Sequence, residues 1–362
     1  MCARVVFALS ALVLVASAPE LAHAGAEVEV VSASGLVEVR APKSKDYAPV
    51  KVGVALASGT RLRTGPSGEA KLKYPDGSVA EVRSKSEIIV RPAVQEGQPS
   101  SVVLFFGRVW TKVVKSVAGN ETFEVRSANA VAGVRGTEFE TGVAADGAMR
   151  VRVKSGAVGV AGDAGGKTVE INAGFEVEAS GEGEVTGKSK SQADANWDGW
   201  FSARAKALQK EGLRVAKNLD GRLAKRQEKV KSLLAQQKQL RQKIEDLEAQ
   251  KQQGEEVDEE LATTLEELEG VTARLVDMET RLQASFAIFE RWGAVAAEGG
   301  MQGGEEVGKM ASNIQKIAAD FADMIEEGTD QSQEGMDDLL KDMKKGKSGK
   351  PKKGSAADEM FK

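Results

Sequence analysis

Cys2 and His23 are the only cysteine and the only histidine in the 362 residues, and so the only residues able to supply thiolate or imidazole chemistry. Both fall in a stretch with the marks of a secretory signal. Arg4 gives a positive start, Val5–Ala18 is an apolar run, and Ala22-His23-Ala24 is a small-x-small cleavage site before Gly25. The run is shorter than the roughly 20 residues a spanning helix needs. The expectation is therefore a signal over 1–24, export to the periplasm or beyond, and a mature chain with no membrane span, thiol or imidazole. Such a chain has no Cys- or His-based nucleophile pair, no His/Cys zinc site, no c-type haem attachment and no disulfide. Carboxylates remain, but no spacing singles out an acid–base pair: Glu138 and Glu140 are only surface neighbours on one strand face. The Gly-rich run 162–166 is followed by Lys167-Thr168, but Ala161 stands where a phosphate-binding loop has its first glycine, and a strand rather than a helix is expected next. No catalytic, metal or cofactor residue is assigned, and the chain is read as a non-enzyme.

Recognition chemistry is better represented. Trp197-Asp198-Gly199-Trp200-Phe201 is an aromatic cluster, and Arg204 follows Trp200 by one helical turn. Aromatic residues and Arg dominate binding hot spots, so Trp197, Trp200 and Arg204 are either an exposed partner-binding spot or an anchor that pins the next segment onto the preceding domain. The run Lys344–Lys353 is basic, with Gly and Pro, and reads as a disordered tail over 344–362 that is solvated or touches an anionic polymer. A net charge of −4 and the export expectation argue against a nucleic-acid partner.

Two kinds of element must position these residues. From Phe123 to Val160 apolar and polar residues alternate with the period of a half-buried strand: Thr137, Phe139, Thr141 and Val143 on one face, then Met149, Val151 and Val153. Asp146-Gly147 between the runs predicts a tight hairpin with both residues at positive φ. Pro75-Asp76-Gly77-Ser78 is another turn signal. Val102–Phe106 is continuously apolar, which predicts a strand buried on both faces or lying centrally. Phe105 and Trp110 are expected to supply much of the aromatic mass of the core, and 169–178 to form a last strand pair. Gly-x-Val recurs at Gly35, Gly107 and Gly156, too unevenly for a repeat. Many short strands with Gly turns predict an all-β domain over 25–180, a sandwich or a short solenoid-like stack.

Within this region the chain resembles the FecR-type domain. The pieces are Val52–Thr64, Ala70–Val82, Phe106–Trp110, Ala130–Phe139 (AVAGVRGTEF), Arg150–Val160 and Glu170–Glu176, together covering roughly residues 26–180. Asp76, Gly77, Ser78, Gly107, Arg135, Gly136, Thr137, Phe139 and Gly156 carry the resemblance. They are read as structural, with binding as the alternative. The resemblance implies an extracytoplasmic all-β module for protein recognition in signalling across the envelope. Signalling members carry an anti-sigma region and a membrane span before that module. Here strands are expected straight after the signal, which sets direct sigma-factor control in doubt.

Residues 181–194 read as a linker, and then the period changes. Val230, Leu233, Leu240, Ile244 and Leu247, with Gln237 between, follow three-and-four spacing. Leu261, Leu265, Leu268, Leu275, Leu282, Phe286 and Phe289 resume it after Gly254. Residues 195–251 hold 14 Lys/Arg against 7 Asp/Glu, and 255–298 hold 3 against 12. Opposite charge favours an antiparallel coiled-coil hairpin over 195–298, although a homo-oligomer through the same residues satisfies the pattern too. Val307, Met310, Ile314, Ile317, Phe321 and Met324 predict a short amphipathic helix within 299–343, and Met336–Met343 adds a turn or two. The expected function is an exported binding or scaffold protein whose partner is a protein or an envelope component. The alternative is a structural envelope protein that binds peptidoglycan or another anionic polymer.

Overall fold

The computed structural model describes residues 26–42, 44–93, 98–115, 123–164, 167–191, 196–318 and 321. The signal at 1–24, Met324, the turns at Met336–Met343 and the basic tail at 344–362 lie outside them.

The strands are β1 (Val28–Ser34), β2 (Val37–Arg40), β3 (Ala48–Pro49), β4 (Ala55–Leu56), β5 (Arg61–Thr64), β6 (Glu69–Lys73), β7 (Val79–Val82), β8 (Glu87–Arg91), β9 (Ser100–Lys112), β10 (Phe123–Arg126), β11 (Ala130–Val134), β12 (Glu138–Val143), β13 (Met149–Ser155), β14 (Ala157–Gly162), β15 (Val169–Asn172), β16 (Phe175–Ala179) and β17 (Ser189–Lys190). They form one 17-stranded sheet folded into two layers. The first layer runs β4-β1-β6-β7-β9-β12-β13-β16-β17. The second runs β3-β2-β5-β8-β9-β10-β11-β14-β15. One apolar core lies between them, so of the two expected arrangements this is the sandwich.

β9 belongs to both layers. Its first half pairs with β8 and β10, its second half with β7 and β12. The bend falls at Gly107, whose φ is +97°. The recurring Gly-x-Val now has a physical meaning: Gly35, Gly107 and Gly156 each stand where the chain turns out of one layer and into the other, and Gly136 does the same. Because β12 runs antiparallel to β9, Val143 lies beside Gly107 and Glu138 beside Lys112. The hairpin tips that follow β9 therefore line the rim that carries the corners preceding it.

Alternation holds where it was read: Thr137, Phe139, Thr141, Val143, Met149, Val151 and Val153 all point inward and are buried. The aromatic assignment needs correction. Phe105 lies on the outer face of the second layer, beneath a helix, and Trp110 lies half-buried on the outer face of the first layer. The core aromatics are instead Tyr74, Phe123 and Phe139. Tyr74 meets Phe123 edge-on at 4.9 Å and donates its hydroxyl to the Ser101 carbonyl at 3.1 Å. Burial pushes that hydroxyl far above the usual phenol range.

The turns differ from expectation as well. In Ala144–Ala148 only Gly147 has positive φ. Ala144 N–H donates to Ala148 O and Gly147 N–H to Ala144 O, closing a three-residue loop with glycine in the left-handed position. Tyr74–Ser78 and Ser180–Glu184 repeat this geometry. β15 and β16 are no hairpin: they pair with β14 and β13 in separate layers. The stretch read as linker contributes the Ser180–Glu184 turn and β17 to the first layer.

Helix α1 (Trp197–Gln252) and helix α2 (Asp258–Ala297) follow. The pairs Arg226–Ser285, Gln237–Thr272 and Lys251–Asp258 make them antiparallel. Leu219, Leu223, Arg226, Val230, Leu233, Gln237, Ile244 and Leu247 form a buried seam on α1, facing Leu261, Thr264, Leu268, Val271, Leu275, Leu282 and Phe289. The turn is at Gly254, φ +90°. Phe286 is only half-buried, off the seam. Ion pairs between the arms include Lys243–Glu260 and Lys251–Asp258, both exposed, so apolar contact rather than charge holds the arms together. A third helix, α3 (304–318), packs Val307 and Ile314 onto the hairpin, with Phe321 in the same cluster.

At Gly107 a side chain would meet Ser86, with a Cβ 2.3 Å from its Oγ and 2.5 Å from its Cα. Gly107→Ala should therefore lose roughly 2–4 kcal/mol of stability in urea unfolding, from positive-φ strain and overpacking together. Gly187→Ala, where nothing lies within 4 Å, should change stability by less than about 0.5 kcal/mol.

Candidate functional site

The residues singled out by type converge where the helices meet the sandwich. α1 starts on the outer face of the first layer. Asn196 caps it, its side-chain oxygen accepting Gly199 N–H at 2.7 Å. Trp197 and Trp200 are 4% and 6% exposed and pack with Phe201 against Ala144 and Ala148 of the β12–β13 tip. Each indole N–H finds a carboxylate: Trp197 donates to Glu140 at 2.8 Å and Trp200 to Glu178 at 2.7 Å. Arg204 reaches the other oxygen of Glu178 at 3.4 Å and pairs with Asp146 in the tip. Arg150 lies 4.9 Å from the Trp200 ring and Arg108 5.7 Å from Trp197. A Cβ at Gly142 would come within 2.6 Å of Trp197, so only glycine leaves room for the indole.

Further along α1, Arg214, Asn218, Arg222 and Arg226 recur every fourth residue and meet the other tips. Arg214 and Asn218 bond Glu182. Arg222 donates to Gly181 O at 2.7 Å. Burial, reinforced by Arg226 and opposed by Asp163 and Glu182, lowers the pKa of Arg222, which stays cationic at neutral pH. Arg226 is buried in the seam. It donates to Ala128 O and Ser285 Oγ, each at 2.6 Å, and pairs with Asp163. From α2, Arg281 reaches Asp163 at 2.8 Å, Trp292 donates to Ala145 O at 2.6 Å, and Asp277 pairs with Arg126. α2 also covers Ile89, Val103 and Phe105, which is why Val102–Phe106 is apolar on both faces: Val102 and Leu104 enter the sandwich core and the alternate residues meet the helices.

The resemblance-bearing residues sit elsewhere and apart from one another. Gly136, Thr137 and Gly156 meet at one corner, where Thr137 Oγ1 donates to Ala157 O at 2.8 Å. Arg135 beside them is exposed, and Phe139 is in the core. Gly107 packs on Ser86 at the opposite rim. Asp76, Gly77 and Ser78 form the β6–β7 turn, where Asp76 accepts Ser78 N–H at 2.9 Å and its hydroxyl at 2.8 Å. They do not gather into one cleft. Sequence reading missed Arg226 and Asp163. Arg226 occupies a seam position that spacing marks as apolar, and that mismatch was the available signal. Among the described residues no group of three or more His, Cys, Asp or Glu is placed to hold a metal, and no helix is long and apolar enough to cross a membrane.

These features define a class: a two-layer β module with a helical hairpin fixed to its rim by aromatic and guanidinium contacts. The family model described as FecR protein matches residues 60–159, from β5 into β14, so this stretch of the module is similar to the FecR-type domain. Its layers extend past the match on both sides, from β1 to β17. Two crystal structures of a candidate anti-sigma factor from Parabacteroides distasonis ATCC 8503 are similar to this chain. One is 20% identical over 37% of this chain and 60% of its own, with a TM-score of 0.32. The other is 18% identical over 44% and 72%, with a TM-score of 0.32. No curated protein matches.

Arg226→Ala leaves Asp163 and two oxygens at the interface short of a donor, and should cost about 3–5 kcal/mol in denaturant unfolding. Gly142→Val should push the first turns of α1 off the sandwich, read as faster trypsin cleavage at Arg204 and Lys206 while cleavage within β12–β13 stays slow.

Proposed function

We propose that this chain is a non-catalytic exported binding or scaffold protein, in which the FecR-type domain recognises a protein in envelope signalling or assembly. The helical hairpin is a stiff spacer, or the arm through which copies associate. We divide it into a signal (1–24), the β domain (25–180) with a short connection (181–194), the hairpin (195–298), an amphipathic helical segment (299–343) and a basic tail (344–362). Trp197, Trp200 and Arg204 act as the anchor between domains. The glycines and turn residues of the resemblance keep the layers folded.

One observation carries this reading. The base of the hairpin is held at Trp200, Arg226 and Trp292, whereas its outer part packs only on itself, through Ile244, Leu247, Val257, Leu261, Leu265 and Leu268. From Arg226 to Gln252 the arm extends by about 39 Å at 1.5 Å per residue. A binding domain with a rigidly mounted projection suits display or spacing.

Formaldehyde cross-linking of the tagged full chain in intact cells, followed by lysozyme and amidase digestion, tests the proposal. Discrete protein adducts that survive digestion, on a chain beginning at Gly25, are expected. Adducts that vanish on digestion, or a chain retaining residues 1–24 in the cytoplasm, would overturn it.

A further inference from the structure

α3 runs back along the end of α2. A Cβ at Gly304 would lie 3.1 Å from Ala296 O, and one at Gly293 would lie 3.0 Å from the Ala311 side chain. The two helices nearly touch there, and a groove of about 640 Å³ opens along their line of contact. Its floor is Gly293, Ala294 and Ala297 from α2 and Gly308 and Ala311 from α3. Ala294 and Ala297 are exposed, and a Cβ at Gly308 would meet nothing within 4 Å. Glu290 and Lys316 line one end, and the ion pair Lys309–Glu305 lines the other. The charges on the walls therefore balance, and the groove selects neither a purely acidic nor a purely basic occupant.

The chain itself carries a segment of the matching kind. Met336, Leu339, Leu340 and Met343 fall on one face of a helix, with Asp337, Asp338, Lys341 and Asp342 around it. Two helical turns do not hold in water alone, so such a face is helical only when it rests on another surface. Phe321 is buried against the hairpin, which fixes where the tether to this segment begins. Residues 322–335 reach up to about 46 Å when extended. Met336–Met343 as a helix is about 12 Å long, and the groove runs about 17 Å from Glu305 to Lys316.

We propose that Met336–Met343 docks in the groove between α2 and α3 of its own chain, as a short fourth helix with Met336, Leu339, Leu340 and Met343 on the small-residue floor. The tether keeps the segment at high local concentration, which favours it over the same segment of a second copy. The floor lies next to Trp292, the residue that fixes α2 to the sandwich, so the docked segment starts the basic run Lys344–Lys353 from the base of the hairpin.

Hydrogen exchange of the full chain, read by mass spectrometry, tests this. Amides of 336–343 should exchange at least tenfold more slowly than in a synthetic peptide of the same residues. Gly308→Trp fills the groove and should abolish that protection, as should the Leu339→Asp/Leu340→Asp pair. Gly270→Trp, on the exposed side of α2 further out along the hairpin, should leave protection within twofold of the parent. A Cβ at either glycine meets nothing within 4 Å, so thermal midpoints should stay within a few degrees of the parent. An unprotected segment in the parent, or protection that persists in Gly308→Trp, would overturn the assignment. Protection that disappears on hundredfold dilution would give the groove to a second copy and overturn docking within one chain.

Discussion

Burial on both faces of β9 is the constraint from which the architecture follows. Its first half must cover the sandwich core with Val102 and Leu104 while presenting Val103 and Phe105 to the other side. Apolar area facing outward at the centre of a sheet has to be covered, and α2 covers it. β9 also joins the layers, so its position fixes both. Helices and sheets are in this sense one construction, because the central strand would be left bare without the hairpin.

Polar contacts then set the register of the hairpin on the rim. Every tip after β9 offers a carboxylate or a carbonyl, and α1 presents a guanidinium or an amide at each turn from Arg214 to Arg226. Burying these ions is costly, and the pairs return little beyond that cost. Their effect is selective: Arg226 sits among the apolar residues of the seam, yet in this register it meets Asp163, Ala128 O and Ser285 Oγ. Apolar burial at Phe105, Phe289 and Trp292 supplies the adhesion, and the arginines choose the position.

Much of this was legible in the residues. The two-residue period around Phe139 and Val151, the unbroken apolar run at 102–106 and the three-and-four seam at 230–247 each mapped onto the expected surface, because each reports a local periodicity. Trp110 was misread because size was allowed to outweigh phase: Arg108 and Lys112 share its face and mark that face as outward. The pairing of Asp163 with Arg226 and Arg281 was not legible, since nothing local connects residues so far apart in sequence. The corner role of Gly35, Gly107 and Gly156 was visible only as an uneven echo. Corners recur with strand length, and strand length here varies.

The hairpin seam is one side chain wide on each arm, and at its base the indole of Trp200 and the guanidinium of Arg204 grip the same carboxylate, Glu178, from successive helical turns. A load applied at Gly254 therefore reaches β12, β13 and β16 as torque through these contacts. The arm is a lever, and the sandwich is its fulcrum.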